Sequence, residues 1–304
     1  MPYSSFTANG KELHRNEPTP VACSLLFFKN SLYQKECKQS TKFSPLRQMF
    51  KKFRIALLLF VLFIVGADSY LTHARITDWG QSLSVVLYPL NADGSPTTAD
   101  YITRLTKDDF SQIAHFMQEE GLRYRLSLVD PVLLDMAPEI SSLPPSPPFG
   151  ANVFAIMWWS LQLRYWAWKT DTYPGPIVNI KVFVLYYDPN THSQLDHSIG
   201  LKEGHICMVK AFASRHQAAG NNVVIAHEML HTLGATDKYN LQTLQPIYPQ
   251  GYAHPEQKPL LPQKSAEIMG RAIPLSPSES KTPDSLSSAV IGQQTAREIK
   301  WLLK

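Results

Sequence analysis

The segment NNVVIAHEMLHTL at residues 221–233 restricts this chain more than any other, because it reads as a helix that fixes two histidines and a carboxylate relative to one another. Val224, Ile225, Met229 and Leu233 supply its apolar side, and the pair Asn221 and Asn222 is placed to cap its start. On such a helix His227 and His231 are four residues apart, so both imidazoles leave one face about one turn from each other. That spacing suits two ligands of one metal ion. Glu228 follows the first histidine directly, which puts its carboxylate beside the position that a catalytic metal leaves open for water. Gly234 can take φ > 0, ending the helix and turning the chain back so that Asp237 comes within reach as a third ligand. If Asp237 instead pairs with a neighbouring cation such as Lys238, Glu256 or Glu267 is left to supply the third ligand.

These residue types serve separate ends. Neutral imidazoles hold Zn²⁺ without quenching its charge, and the metal brings the pKa of water toward roughly 7. Glu228 then completes the deprotonation and can hand the proton to the amine that departs from a peptide carbonyl, whose oxyanion the zinc stabilises. The expected cofactor is Zn²⁺, and the expected partner is a protein or peptide substrate.

HEMLHTLGATD, from His227 to Asp237, resembles the pattern of the metzincin clan of zinc metallopeptidases, HExxHxxGxx followed by His or Asp. Glu267-Ile268-Met269-Gly270 is similar to the clan's methionine turn, with Met269 as its methionine. The resemblance covers roughly residues 178–304. It implies an α+β zinc peptidase fold with a mixed sheet, an active-site helix, a methionine turn and a C-terminal helix. The C-terminal helix is expected over 285–303, where Ile291, Ala296, Ile299 and Leu302 are apolar. It also implies His227, His231 and Asp237 as zinc ligands, Glu228 as the catalytic base and Met269 as structural support. Two features depart from the pattern. The third ligand is Asp, the less common choice, which makes the site less positive and its water less acidic. An insert over 240–264 with five prolines separates the two motifs more than compact members need. A zinc-binding envelope scaffold without turnover is the rival reading; Glu228 favours an enzyme, since an inactive member can lose that carboxylate without losing metal.

Location follows from the run IALLLFVLFIVGA at 55–67, uncharged and preceded by Arg47, Lys51, Lys52 and Arg54. It is shorter than the roughly 20 residues of a comfortable spanning helix. Taken as 53–71 it reads as a transmembrane anchor. With the small residues Val65 and Ala67 before a cleavage point it reads equally as a signal segment. Basic flanks stay inside, so the expectation is a single-pass cell-membrane protein with its catalytic domain on the non-cytoplasmic side, or a secreted or periplasmic one after cleavage. Met49 opens a signal-like stretch of its own, which sets residues 1–48 upstream of a second candidate start. The expected organisation is a basic polar segment at 1–52, the membrane segment at 53–71, the first exported part at 72–150 and the zinc peptidase domain at 151–304.

Net charge is +4, but residues 1–54 hold ten of the 29 Lys and Arg against three of the 25 Asp and Glu, so the remainder is slightly acidic. With no basic stripe interleaved with aromatics, no nucleic-acid partner is expected. Cys23 and Cys37 fall in the N-terminal segment and Cys207 beyond it, so no disulfide forms within the main domain, and Cys207 reads as a buried small apolar residue.

Elsewhere, strands are expected at 82–88, 123–129 and 178–187, and a shorter one at 205–210 pairs with the third or lies at the sheet's edge. A helix is expected from Lys107 to Glu120 with Gly121 as its stop, and a stiff connector over 137–150 with Pro138, Pro144, Pro145, Pro147 and Pro148. The aromatic stretch Phe154 to Trp168 reads as a helix apolar nearly all round, expected to be packed as a central element. His192, His197 and His205 are expected to be solvated or hydrogen-bonded rather than metal-bound. The same resemblance suggests Tyr239 and Tyr252 as donors to an oxyanion, as a tyrosine near the metal is in some members of the clan, but neither sits in the matching position.

Overall fold

The computed structural model describes residues 45–148, 150, 152–195, 198–201 and 204–302. Residues 1–44, with Cys23 and Cys37, lie outside them, as do His197 and Leu303. The chain divides into two units, Met1–Ile55 and Ala56–Lys304. Helix α1 is Pro45–Ile76. Phe53, Ile55 and the apolar residues from Leu57 to Ile64 are exposed on it. Among the described residues no helix is long and apolar enough to cross a membrane.

The second unit is built on one five-stranded sheet. Its strands are β1 (Leu83–Asn91), β2 (Val132–Met136), β3 (Ile180–Tyr187), β4 (Ile199–Leu201) and β5 (Ile206–Phe212), in the order β2-β1-β3-β5-β4. Every neighbouring pair is parallel except β4 with β5. A parallel sheet is buried on both faces, which is why β1 and β3 are near-continuous apolar runs rather than alternating ones. Successive residues feed two cores. Val85, Leu87, Val182 and Val184 pack with Ile113, Met117, Ile225 and Met229 of α3 (Ser111–Arg123) and α5 (Ala218–Thr232). Val86, Tyr88, Phe183 and Leu185 pack with Trp159 and Leu163 of α4 (Val153–Lys169). Helix α2 (Pro96–Thr103) adds Tyr101 and Ile102 to the first core. The sheet is thus shared by chain on both sides of the proline-rich connector, which carries no helix or strand over its described residues.

The expected strand at 123–129 is not a strand. Helix α3 runs through Gly121 to Arg123, and the pairing strand is β2, further on. Tyr124, Leu126 and Leu128 do alternate inward onto the core, but in irregular backbone where Arg125 has φ 58°. Gly121 serves close packing rather than a stop, since a Cβ there would stand 3.1 Å from Pro131.

The expected C-terminal helix is broken up. A 3-10 turn at Leu286–Ser288 leads into β9 (Ala289–Val290), which pairs in parallel with β6 (Ala266–Glu267), and only α6 (Gln293–Glu298) is helical. Tertiary bonds claim the backbone just before α6. The Ile291 N–H donates to Glu120, its carbonyl accepts from the Tyr124 hydroxyl, and the Gly292 N–H donates to Glu267. Ile291, Ala296 and Ile299 are nonetheless fully buried, as their apolar spacing requires. A further short pair, β7 (Ile273–Pro274) with β8 (Ser280–Lys281), lies between β6 and β9 in the chain.

The aromatic helix α4 forms, with Asn152 capping the Ala155 N–H, but it is not packed all round. Only the stripe of Trp159, Leu163 and Ala167 that faces the sheet is buried, while Trp158, Leu161, Tyr165 and Trp168 are exposed. Its outer side carries no further layer among the described residues.

Candidate metal centre

Helix α5 is held by its apolar side. Ile225, Ala226, Met229, Leu230 and Leu233 are completely buried, which leaves His227 and His231 on the opposite side at the surface of the core. The asparagine pair does not cap it, because the helix begins earlier, at Ala218. Asn221 instead donates from Nδ2 to the Phe212 carbonyl at 2.9 Å, and Asn222 to the Asp109 carbonyl at 2.9 Å.

At the other end Gly234 has φ 104°, a conformation that L side chains rarely adopt, and the Ala235 N–H reaches back to the Leu230 carbonyl at 3.1 Å. The reversal carries Asp237 to the histidines. Its Oδ1 lies 3.2 Å from Nε2 of both His227 and His231, and the two Nε2 atoms are 3.1 Å apart. Among the described residues this is the group of three whose donor atoms all fall within 4.8 Å of one another.

The outer ring nitrogens define what the inner ones are. His227 Nδ1 lies 2.9 Å from the Ile268 carbonyl and His231 Nδ1 lies 2.9 Å from the Ala235 carbonyl. A carbonyl only accepts, so both Nδ1 atoms carry hydrogen. In the neutral rings, then, both Nε2 lone pairs aim at the point that the Asp237 carboxylate also faces. Two lone pairs and a carboxylate oxygen converging this closely require a cation or a shared proton among them. Burial favours the neutral ring of His231, yet hydrogen bonds to Asp237 and to the Ala235 carbonyl raise its pKa. Burial likewise opposes ionisation of Asp237, but the two imidazoles hold it well below the usual carboxylate range. The donor set fits a divalent metal of the Zn²⁺ type, which takes imidazole nitrogen and carboxylate oxygen.

Glu228 is buried beside this cluster, and the Gly200 backbone N–H of β4 favours its charged form. Burial raises its pKa despite the pull of the two histidines, and the nearby Asp237 raises it further. Cys207, on the adjacent strand β5, is wholly buried, and its Sγ donates to the Glu228 carbonyl at 3.4 Å, in line with a packing role.

The expected methionine turn is a 3-10 turn at Ile268–Gly270 with Met269 fully buried. It touches the centre twice through its backbone: the Ile268 carbonyl orients His227, and the Met269 carbonyl accepts from the Lys238 N–H at 2.8 Å. The alternative third ligands are engaged elsewhere or lie outside the cluster. Glu267 accepts from the Gly270 and Gly292 N–H groups and the Thr295 hydroxyl. Glu256 lines a separate cleft of about 700 Å³ with Arg123, Tyr252, His254 and Arg297. Lys238 does not pair with Asp237, because its Nζ lies 2.7 Å from Glu298 Oε2.

Tyr239 has its ring centroid 6.5 Å from that of His227, with the Arg271 guanidinium 5.8 Å above the tyrosine ring. Tyr252 stacks edge-on against Tyr248 in the insert instead. His192 packs edge-on against Tyr187, and His205 Nδ1 lies 3.3 Å from the Thr232 carbonyl, so neither joins the cluster. Two residues at the site carry no local signal in the sequence: Gly200, from a three-residue strand, and Glu298, from the last helix. No protein-family model matches this chain, and no curated protein matches it in sequence.

Proposed function

We propose that this chain is a zinc-dependent endopeptidase of metzincin type, with His227, His231 and Asp237 as metal ligands and Glu228 as the general base. The observation that carries the reading is the convergence of Asp237 Oδ1 with both histidine Nε2 atoms, next to the buried carboxylate of Glu228. Bound Zn²⁺ would supply Lewis acidity, bringing water's pKa toward roughly 7 and stabilising the oxyanion. The protein's own groups do the rest. Nδ1 donation to Ile268 and Ala235 keeps both rings in the ligating tautomer. Glu228, its pKa raised by burial, accepts a proton and later delivers it to the leaving amine. Among the described residues strand β4 ends the sheet, close to Glu228, which offers an extended peptide a sheet edge to add to by main-chain hydrogen bonds. The apolar run at 55–67 and its basic flank support export of the catalytic part, either tethered at the cell membrane on the non-cytoplasmic side or released.

Elemental analysis of the purified full chain, wild type beside Asp237→Ala, tests the reading without knowledge of the substrate. The expected result is one zinc per wild-type chain, lost or much weakened in the variant. A well-folded wild type that takes up no zinc overturns it.

A further inference from the structure

Helix α5 places two of the three ligands by itself, because an i, i+4 pair is set by the helix. Asp237 has no such support. It stands three residues beyond Gly234 in irregular backbone, with about a third of its side chain exposed. On its far side that backbone is held by the Lys238 N–H on the Met269 carbonyl at 2.8 Å and the Ile247 N–H on the Lys238 carbonyl at 2.8 Å, and across Asp237 it is spanned by a single carboxylate from the other end of the domain. Glu298 Oε2 accepts from the Thr236 N–H at 2.9 Å and from Lys238 Nζ at 2.7 Å. Its Oε1 accepts from the Thr236 hydroxyl at 3.1 Å and from Gln294 Nε2 at 3.1 Å. Lys238 Nζ closes the ring by donating to the Thr236 carbonyl at 2.7 Å. Both residues flanking Asp237 are therefore tied to Glu298.

We propose that Glu298 is the positioning residue for the third metal ligand, clamping Thr236 and Lys238 so that the Asp237 carboxylate faces both histidine Nε2 atoms. This rests on the zinc reading above. Three features support it. The carboxylate's acceptor positions are filled by donors from the loop and from its own helix, which fixes its orientation. Lys238 is buried and its charge is met by Glu298, a type of pair better suited to specifying one arrangement than to adding net stability. The platform is firm, because Ala296 and Ile299 on either side of Glu298 are fully buried and Trp301 is nearly so. The clamp also sits opposite a second one: Glu267, under the methionine turn, accepts from Gly292 and Thr295 of the same segment. One short stretch, 292–298, thus fastens both the ligand loop and the turn beneath the metal.

The test is a double-mutant cycle on zinc affinity in the full chain, read by competition with a chromophoric chelator, with Glu298→Ala, Asp237→Ala and both together. Loss of outer groups that orient a metal ligand typically weakens binding by about 10–100-fold. That loss is expected for Glu298→Ala and is expected to vanish when Asp237 is already absent, because Glu298 acts through it. Co²⁺ substituted for zinc should show altered visible bands in Glu298→Ala, and Glu298→Asp should recover part of the affinity. If the alanine variant does not fold, Glu298→Gln replaces it in the cycle, since it keeps the side chain's shape while putting an amide N–H₂ against donors. Additive losses, or unchanged affinity in a folded variant, overturn the clamp while leaving the metal site standing. A wild type without zinc affinity overturns the peptidase reading itself.

Discussion

Gly200 and Glu228 touch where the edge strand β4 crosses α5. A Cβ on Gly200 would stand 2.5 Å from the Glu228 carbonyl oxygen, 2.8 Å from His231 Cβ and 3.2 Å from Glu228 Oε2. Glycine lets β4 lie against α5, with its backbone close to the Glu228 carboxylate. Gly200→Ala should force the two apart, at a cost of about 1–3 kcal/mol in urea unfolding. Because the same Cβ presses on His231, zinc affinity should weaken as well, while peptide cleavage falls by more than the folded fraction and the metal occupancy do. An alanine variant with unaltered cleavage would mean that β4 has no part in holding Glu228.

Glu228→Gln separates an enzyme from a metal-binding scaffold. The amide keeps the shape and the Gly200 contact but does not take a proton at neutral pH. Zinc stoichiometry should be retained while kcat/KM on a peptide substrate drops by about 10²–10⁴-fold, the usual worth of a general base. Undiminished cleavage would refute the assigned role.

What the sequence reveals and what it hides divide along physical lines. His227, Glu228 and His231 are legible because the helical period alone fixes them, and Asp237 because Gly234 signals the reversal. The strands β1 and β3 are legible as β-branched runs. The alternation of Tyr124, Leu126 and Leu128 misleads because burial with period two does not need a paired strand. The C-terminal apolar spacing likewise records burial faithfully, but not helix: Glu120 and Glu267 capture the backbone at Ile291 and Gly292 from 171 and 25 residues away. Gly200 and Glu298 are silent for the same reason, their partners being close only after folding. The outer face of α4 is a different case, since composition says that a helix is apolar but not how many neighbours will cover it.

Asp171 should make part of the fold's stability pH-dependent. It accepts from Tyr88 Oη at 2.7 Å, from Lys181 Nζ at 2.5 Å and from the Tyr173 N–H at 3.2 Å. Burial works to raise its pKa, but these donors outweigh burial and hold it below the ordinary value of 3.8. The unfolded chain therefore binds more protons than the folded one in that window, and stability rises with pH across it. The contribution is complete above the unfolded pKa of about 4 and is lost as pH falls through the lower folded value. Asp171→Asn should cost about 1.5–3 kcal/mol at neutral pH, with the gap to wild type closing under strongly acidic conditions. Urea titrations at several pH values measure this, and a gap that does not change with pH would rule out the carboxylate's charge as its source.

Two carboxylates near the centre should respond to alanine in opposite ways. Glu267 is fully buried and accepts from Gly270 N–H at 2.7 Å, Gly292 N–H at 3.0 Å and Thr295 Oγ1 at 2.5 Å. Removing it strands three donors, each worth about 1–3 kcal/mol when left unpaired in the interior. Glu267→Ala should thus lose several kcal/mol of stability even with a chelator present, and zinc affinity should fall with it as the turn beneath His227 loosens. Asp237 is part-exposed, and its ion-pair partners among the described residues are the two imidazoles. With metal stripped away, Asp237→Ala should unfold within about 1 kcal/mol of the wild type, yet it should lose the stabilisation that added zinc gives the wild type. Denaturant unfolding of both variants, with chelator and with zinc, reads the two effects on one scale. The reverse pattern, with Glu267→Ala stable but blind to zinc, would make Glu267 the ligand and Asp237 a bystander.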